Sequence, residues 1–287
     1  MRALINGVGL HVATAGQGRP LLLLHGFMGS TATWAPFVPA LAQRWRVIAV
    51  DLLGHGGSDA PPEAERYTME RCVQDLLALL DHLEARRPVV VGYSLGGRVA
   101  LGLAAAAPDR LAGLALESAS PGLLTPEERL ARTRGDEALV DDLRRDGLPA
   151  FVERWQRLPL FDSQTALPQT TRTTLRAQRL ANNPVGLAGS LRGLGTGRQA
   201  PLWDRLPGLD LPVLVVAGDL DTKFAALAQH MAADLPRARL ALAPGAGHAV
   251  HLERPAWFLA TIEAFLDEIA GAGPLGQPAL KVERERA

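Results

Sequence analysis

The chain has 287 residues, 47% of them hydrophobic and 21% charged, the balance of a globular protein long enough to bury a substantial core. Thirty Lys and Arg offset thirty Asp and Glu with no long basic run, which argues against a nucleic-acid or anionic-membrane surface and leaves a small molecule as the expected partner. Cys72 is the only cysteine, which excludes an internal disulfide and a cysteine-based zinc site and points to a reducing, cytoplasmic compartment. The start MRALINGVGL lacks the apolar core of a signal peptide, and Arg98 interrupts the one long apolar region before it reaches membrane-spanning length.

Asn6-Gly7 between two short alternating runs predicts a hairpin at the start of the chain. Short apolar runs follow at 20–26, 46–51, 87–94, 111–117, 211–219 and 238–248, each of the kind buried on both faces of a parallel sheet. Helical patterns separate most of them, at 67–85, 98–108, 223–235 and 256–271. This alternation predicts an α/β fold, a mostly parallel central sheet with helices on both faces joined by right-handed crossovers. From 121 to 207 it stops, and a region rich in Arg, Thr and Gln carries helical segments without a strand. The expected organisation is therefore a core at 1–120 and 208–271, an inserted helical lid at 121–207, and a loose tail at 272–287 whose Gly, Pro and charges lack periodicity.

Gly92-Tyr93-Ser94-Leu95-Gly96 fits the G-x-S-x-G elbow, with the strand VVV before it and the helical run RVALGLAAAA after it. A serine at its ordinary pKa is a weak nucleophile or base, so it needs an imidazole to take its proton and an acid to hold that imidazole in the right tautomer. Asp221, in the loop after LPVLVVAG, and His248, in GAGH before the last helix, follow in the order serine, acid, histidine. Asp219 competes with Asp221; the later acid of the loop is preferred, with Asp219 left to cap the turn. In His25-Gly26-Phe27 the backbone N–H of Phe27 is positioned to join that of Leu95 around a substrate oxygen. The loop 51–59, DLLGHGGSD, is read as structural. His251 lies three residues beyond His248, but no carboxylate or cysteine pattern makes the pair a metal site, and no metal or other cofactor is expected.

Arg98 falls four residues after Ser94, on the same face of the predicted helix. A neutral ester gains little from a guanidinium there, whereas a carboxylate gains a bidentate partner. Further arginines, Arg129 and Arg179, occur in the 121–207 region together with Trp155. If they face inward, the pocket is built for several carboxylates.

These strings resemble the α/β-hydrolase-fold synthases of menaquinone biosynthesis that make 2-succinyl-6-hydroxy-2,4-cyclohexadiene-1-carboxylate. The resemblance covers most of the chain and includes HGFMGS (25–30), GYSLGGRVAL (92–101), EER (127–129), ERWQRLPLF (153–161), RLANN (179–183), GTGRQAPLW (195–203), GDLDTKF (218–224) and AGHAVHLERP (246–255). It implies a cofactor-free lyase for a polycarboxylate, with Ser94, His248 and Asp221 as the proton-abstracting triad; the sequence leaves the oligomeric state open, with a monomer favoured. It further implies Phe27 and Leu95 N–H groups stabilising an enolate-like oxygen, Arg98, Arg129 and Arg179 as carboxylate partners, and Tyr93 and Trp155 shaping the pocket. Two other readings share the fold: a serine hydrolase acting on an ester or carbon–carbon bond, and a binding protein that keeps the pocket without turnover.

Overall fold

The computed structural model describes residues 1–271; the expectation of a loose tail at 272–287 lies outside the described residues. The hairpin forms as expected. Strand β1 (Arg2–Ile5) pairs antiparallel with β2 (Val8–Ala15) around Asn6 and Gly7, at φ 47° and 83°, the left-handed pair that a two-residue hairpin turn demands. Six further strands follow: β3 (Arg19–Leu24), β4 (Trp45–Val50), β5 (Val89–Tyr93), β6 (Gly113–Glu117), β7 (Val213–Gly218) and β8 (Ala238–Ala243). The sheet order is β1-β2-β4-β3-β5-β6-β7-β8. β2 meets β4 antiparallel, and every pair from β4 across to β8 is parallel.

The apolar runs are continuous because both faces are covered. Leu22, Leu24, Ile48, Val50, Val90, Leu114 and Val215 point into one core, while Leu21, Leu23, Val47, Ala49, Val91, Leu214 and Val216 alternate into the other. Helices α2 (Met69–His82) and α3 (Leu95–Ala106) supply Leu76, Leu79, Val99 and Leu103 to the first core, and α7 (Thr222–Asp234) supplies Met231. The short α1 (Val38–Leu41) and the final α9 (Pro255–Gly271) close the second with Leu41, Phe258, Ile262 and Phe265; the single turn α8 (Val250–Glu253) precedes α9. Among the described residues no helix is long and apolar enough to cross a membrane.

Between β6 and β7 the chain forms α4 (Pro126–Trp155), α5 (Gln169–Leu180) and α6 (Pro184–Leu194). Thr125 and Glu128 make a reciprocal capping box at the start of α4. Gly147, at φ 77° and ψ 167°, breaks α4 just before Pro149, and Phe151 and Val152 continue into a third apolar cluster with Leu187 and Leu191. Helix α6 is not apparent in the sequence, where its glycines read as breakers. In the fold they form a flat face: Gly189 and Gly193 lie against Tyr67, and a Cβ on Gly186 meets the backbone of Gly54 at 2.3 Å. That contact fastens α6 to the core. Gly186→Ala forces backbone against backbone and is expected to destabilise the protein by about 1–3 kcal/mol, as overpacked interiors do. Thermal unfolding measures this, and an unchanged midpoint would mean that α6 is seated differently.

Candidate active site

Ser94 stands between β5 and α3 with φ 49° and ψ −105°, a conformation that the flanking glycines make sterically feasible. A Cβ on Gly92 would sit 2.4 Å from the Gly96 carbonyl oxygen, and one on Gly96 only 2.2 Å from that of Leu24. The strand, the turn and the helix therefore pack closer than any side chain permits, and the serine is lifted to the end of the sheet. The Ser94 hydroxyl lies 3.1 Å from Nε2 of His248, and Nδ1–H of His248 donates to Oδ2 of Asp221 at 2.8 Å. The side chains of His248 and Asp221 are only 2% and 8% exposed, so this bond is little competed for by water.

Each partner is held from its own element. Asp221 is the N-cap of α7, its Oδ1 accepting the Phe224 N–H at 3.2 Å while Oδ2 faces the histidine. Asp219 accepts the Gly245 N–H at 2.7 Å and stays in the turn. His248 rides on a loop whose N–H groups at Gly247 and Ala249, one on each side of it, donate to the Glu253 carboxylate at 2.6 and 3.3 Å. Phe224 lies edge-on to the imidazole, 4.5 Å between ring centres.

Two backbone N–H groups border the same space. Those of Phe27 and Leu95 donate to no protein acceptor among the described residues, and both residues line the cavity that Ser94 and His248 open onto. The loop carrying Phe27 is latched by His25, whose Nδ1–H donates to the Gly26 carbonyl at 2.7 Å and whose Nε2 accepts the Leu52 N–H at 3.0 Å. That pattern requires the neutral imidazole, and burial lowers its pKa accordingly. His55 packs behind it and against Phe27, and burial pushes its pKa down to about 3. The 51–59 loop is braced by Asp51, which accepts the N–H groups of Thr31 and Gly57 and pairs with His11 at 2.9 Å.

The cavity onto which Ser94 and His248 open has a volume of about 700 Å³ and is also lined by Arg98, Arg132 and Lys223. Arg98 donates to the Leu194 carbonyl at 2.6 Å and the Gln199 amide oxygen at 2.9 Å, and no carboxylate among the described residues lies within 4.0 Å of it. Burial, and secondarily Arg132, pushes its pKa down to about 10, which leaves it a cation at neutral pH. A second cavity of about 320 Å³ adjoins the first across Phe27, Tyr93, Trp155 and Phe161, which line both. Into it faces Arg179, 7% exposed, with its guanidinium 5.4 Å over the Phe161 ring and a long 3.4 Å contact to Gln164 as its side-chain partner. Burial lowers its pKa too, and again no carboxylate among the described residues pairs with it.

Arg129 is where the expectation and the fold part. Its guanidinium donates to the carbonyls of Leu123 and Leu124 at 3.0 and 2.8 Å, in the turn that leads into α4, and it lines neither cavity. The stripe of α4 facing Ser94 runs through Glu128, Arg132 and Leu139, and Arg129 is one residue, roughly 100° of helix, away from it. Arg132, exposed and paired with Asp136 at 2.9 Å, is the arginine of α4 that lines the cavity. An i, i+4, i+11 stripe was the available signal, but a helix this rich in charge has no apolar phase to reveal which face turns inward.

The chain belongs to the α/β hydrolase fold family, which it matches over residues 19–255. Within that fold it is 42% identical, across 91% of its length and 96% of the relative's, to a Bacillus subtilis (strain 168) protein provisionally named 2-succinyl-6-hydroxy-2,4-cyclohexadiene-1-carboxylate synthase. The synthase of the same name from Pectobacterium atrosepticum is 35% identical over 86% of this chain and 93% of its own. The solved structure of MenH from S. aureus superposes with a TM-score of 0.87 at 33% identity, covering 91% of this chain and 98% of that one. The resemblance read from the lid strings and the elbow is thus matched along nearly the whole chain.

The buried imidazoles behind Phe27 carry a pH signature. His55 binds a proton near pH 6.5 in the unfolded chain but only near 3 in the fold, so stability is intact above about pH 6.5 and is lost as the pH falls from there towards 3. The slope approaches about 1.4 kcal/mol per pH unit for such a group. Denaturant unfolding across that range is expected to show the loss, with a shallower slope in His55→Phe; equal slopes would contradict it.

Proposed function

We propose that the protein is a carbon–oxygen lyase of menaquinone biosynthesis. It eliminates pyruvate from 2-succinyl-5-enolpyruvyl-6-hydroxy-3-cyclohexene-1-carboxylate to give 2-succinyl-6-hydroxy-2,4-cyclohexadiene-1-carboxylate. The observation that carries this reading is a serine–histidine–aspartate chain opening onto cavities into which two buried arginines, Arg98 and Arg179, face without a carboxylate partner among the described residues. Buried cations without counter-ions are costly, and an anionic ligand offsets that cost. The substrate brings three carboxylates: one on the ring, one at the end of the succinyl arm and one on the enolpyruvyl group.

The chemistry follows from the substrate's most acidic carbon. The ring C–H beside the succinyl carbonyl is acidified by that carbonyl, and Ser94, relieved of its own proton by His248, removes the hydrogen. The electron pair forms the new ring double bond at that carbon, the existing double bond moves one position along, and the bond to the enolpyruvyl oxygen breaks with its electrons. The enol leaves and becomes pyruvate. The Phe27 and Leu95 N–H groups stabilise the enolate oxygen while the C–H bond breaks, as an oxyanion hole does for a tetrahedral intermediate. Asp221 keeps His248 in the tautomer that accepts at Nε2 and stabilises the imidazolium. No step in this scheme calls on a cofactor.

In the same reading Arg98 and Arg179 hold carboxylates, Tyr93 and Trp155 form the wall between the two cavities, and residues 121–207 act as a lid on a core of 1–120 and 208–271. The single, buried Cys72 suits a reducing cytoplasm, and a monomer suffices because one chain supplies every group named.

The test uses substrate generated enzymatically in place, with pyruvate release and the ultraviolet absorption of the conjugated diene followed together. Both should rise in step and be lost in Ser94→Ala and His248→Ala. Fast ester turnover without the diene would instead mark a hydrolase. Arg98→Ala should lower kcat/KM by about 30-fold or more, since a buried charge left unpaired costs about 2–5 kcal/mol. Arg132→Ala, whose guanidinium is exposed and already paired with Asp136, should stay much nearer the wild-type value; the reverse ranking of Arg98 and Arg132 would remove Arg98 from the site.

A further inference from the structure

Strand β6 is buried throughout and ends in Glu117, 1% exposed. A carboxylate there has no Lys or Arg partner among the described residues; its partner is His251, 3% exposed. Oε1 accepts the His251 backbone N–H at 3.0 Å, and the ring Nδ1–H donates to Oε1 and Oε2 at 2.9 and 3.0 Å. The main chain of the same residue faces the other way in function: its carbonyl accepts the Ser94 N–H at 2.8 Å. Across the parallel register Glu117 sits beside Tyr93, whose ring meets that of His251 edge-on at 4.6 Å.

We infer that Glu117 is a positioning residue for the reaction, a joint that fixes both ends of the Ser94–His248 hydrogen bond at once. Its carbonyl holds the strained elbow, and its carboxylate holds the segment that follows His248 through two donors three residues beyond the catalytic imidazole. Glu253 restrains the N–H groups on either side of His248 but belongs to the same local loop. Glu117 alone reaches across from the strand next to the nucleophile, 134 residues away in sequence. The alternative is a buried pair that only contributes stability. An ion or hydrogen-bond pair serving stability alone has no need of a residue whose backbone is already bonded to the nucleophile, and its loss would leave the chemistry of the folded fraction unchanged.

The inference rests on Ser94 and His248 being the reacting pair, so its readout must not depend on the cyclohexene substrate. A fluorophosphonate ester supplies one: Ser94 Oγ attacks phosphorus, fluoride leaves, and the proton passes to His248, at a rate set by the alignment of the two. Glu117→Gln keeps the shape of the side chain but turns an amide NH₂ towards the donors of His251. In protein that remains folded by circular dichroism, phosphonylation and kcat should fall together, on the order of 10- to 100-fold for a displaced reacting group. KM should stay within about twofold, because no substrate contact is removed. His251→Leu, which abolishes the ring donor while keeping bulk, should slow phosphonylation similarly, and His251→Gln, which can donate to Glu117, should restore most of the rate. Wild-type phosphonylation in folded Glu117→Gln, or in His251→Leu should the former not fold, overturns the inference. Labelling of the wild type without any pyruvate release would instead remove the synthase reading and leave this result standing.

Discussion

The backbone of Ser94, held at φ 49° and ψ −105°, is the constraint on which the rest of the site depends. A side-chain-bearing residue in such a sparsely populated conformation costs about 1–3 kcal/mol, and it persists only where its surroundings over-determine it. Three surroundings do so. Gly92 and Gly96 let the strand and helix close to contact with Gly97 and Leu24, the helix α3 accepts its first turn from the Ser94 carbonyl through Arg98 N–H at 3.0 Å, and Glu117 takes the Ser94 N–H. The same turn leaves the Leu95 N–H without a protein acceptor among the described residues, so the strain that exposes the hydroxyl also leaves a free donor beside it.

Charge divides the site into two kinds of work. Around Ser94 the groups are arranged for proton movement: an imidazole latched by Asp221, two N–H donors without a protein acceptor among the described residues, and a neutral His25 behind the Phe27 loop. Further out lie the cations. Arg98 and Arg179 are anchored by uncharged partners, a carbonyl and amide oxygens, which orient each guanidinium without cancelling its charge. Had either been matched with a protein carboxylate, the ion pair would have been satisfied internally and an anionic substrate would gain little by entering. The hydrolytic machinery common to the fold and the uncompensated arginines together favour deprotonation of a polycarboxylate over attack on a neutral ester.

The sheet was legible in the sequence because each central strand buries both faces, so PLLLL, VIAV and VLVV stand out against polar neighbours. The elbow and the order of Ser94, Asp221 and His248 were legible because each follows such a strand within a few residues. Helix α6 was not, since the glycines that permit its contact with Gly54 and Tyr67 are the residues that mark a break in an isolated segment. Arg132 was hidden by rotational phase: on α4, with its mixed charges, only the packed structure separates the face at 128, 132 and 139 from Arg129. The pairing of Glu117 with His251 was invisible for a third reason: His251 stood out only by its spacing from His248, and partners far apart in sequence leave no local pattern.

The central claim is that Ser94 acts as a base on carbon and forms no bond to it. Single-turnover reaction of substrate carrying deuterium at the ring carbon beside the succinyl carbonyl tests this most directly, with the protein's intact mass followed during the same reaction. The account predicts that diene formation slows by a primary isotope effect while the mass of the enzyme stays unchanged. A covalent adduct on Ser94 that forms and decays at the rate of turnover, with no isotope effect, would contradict it.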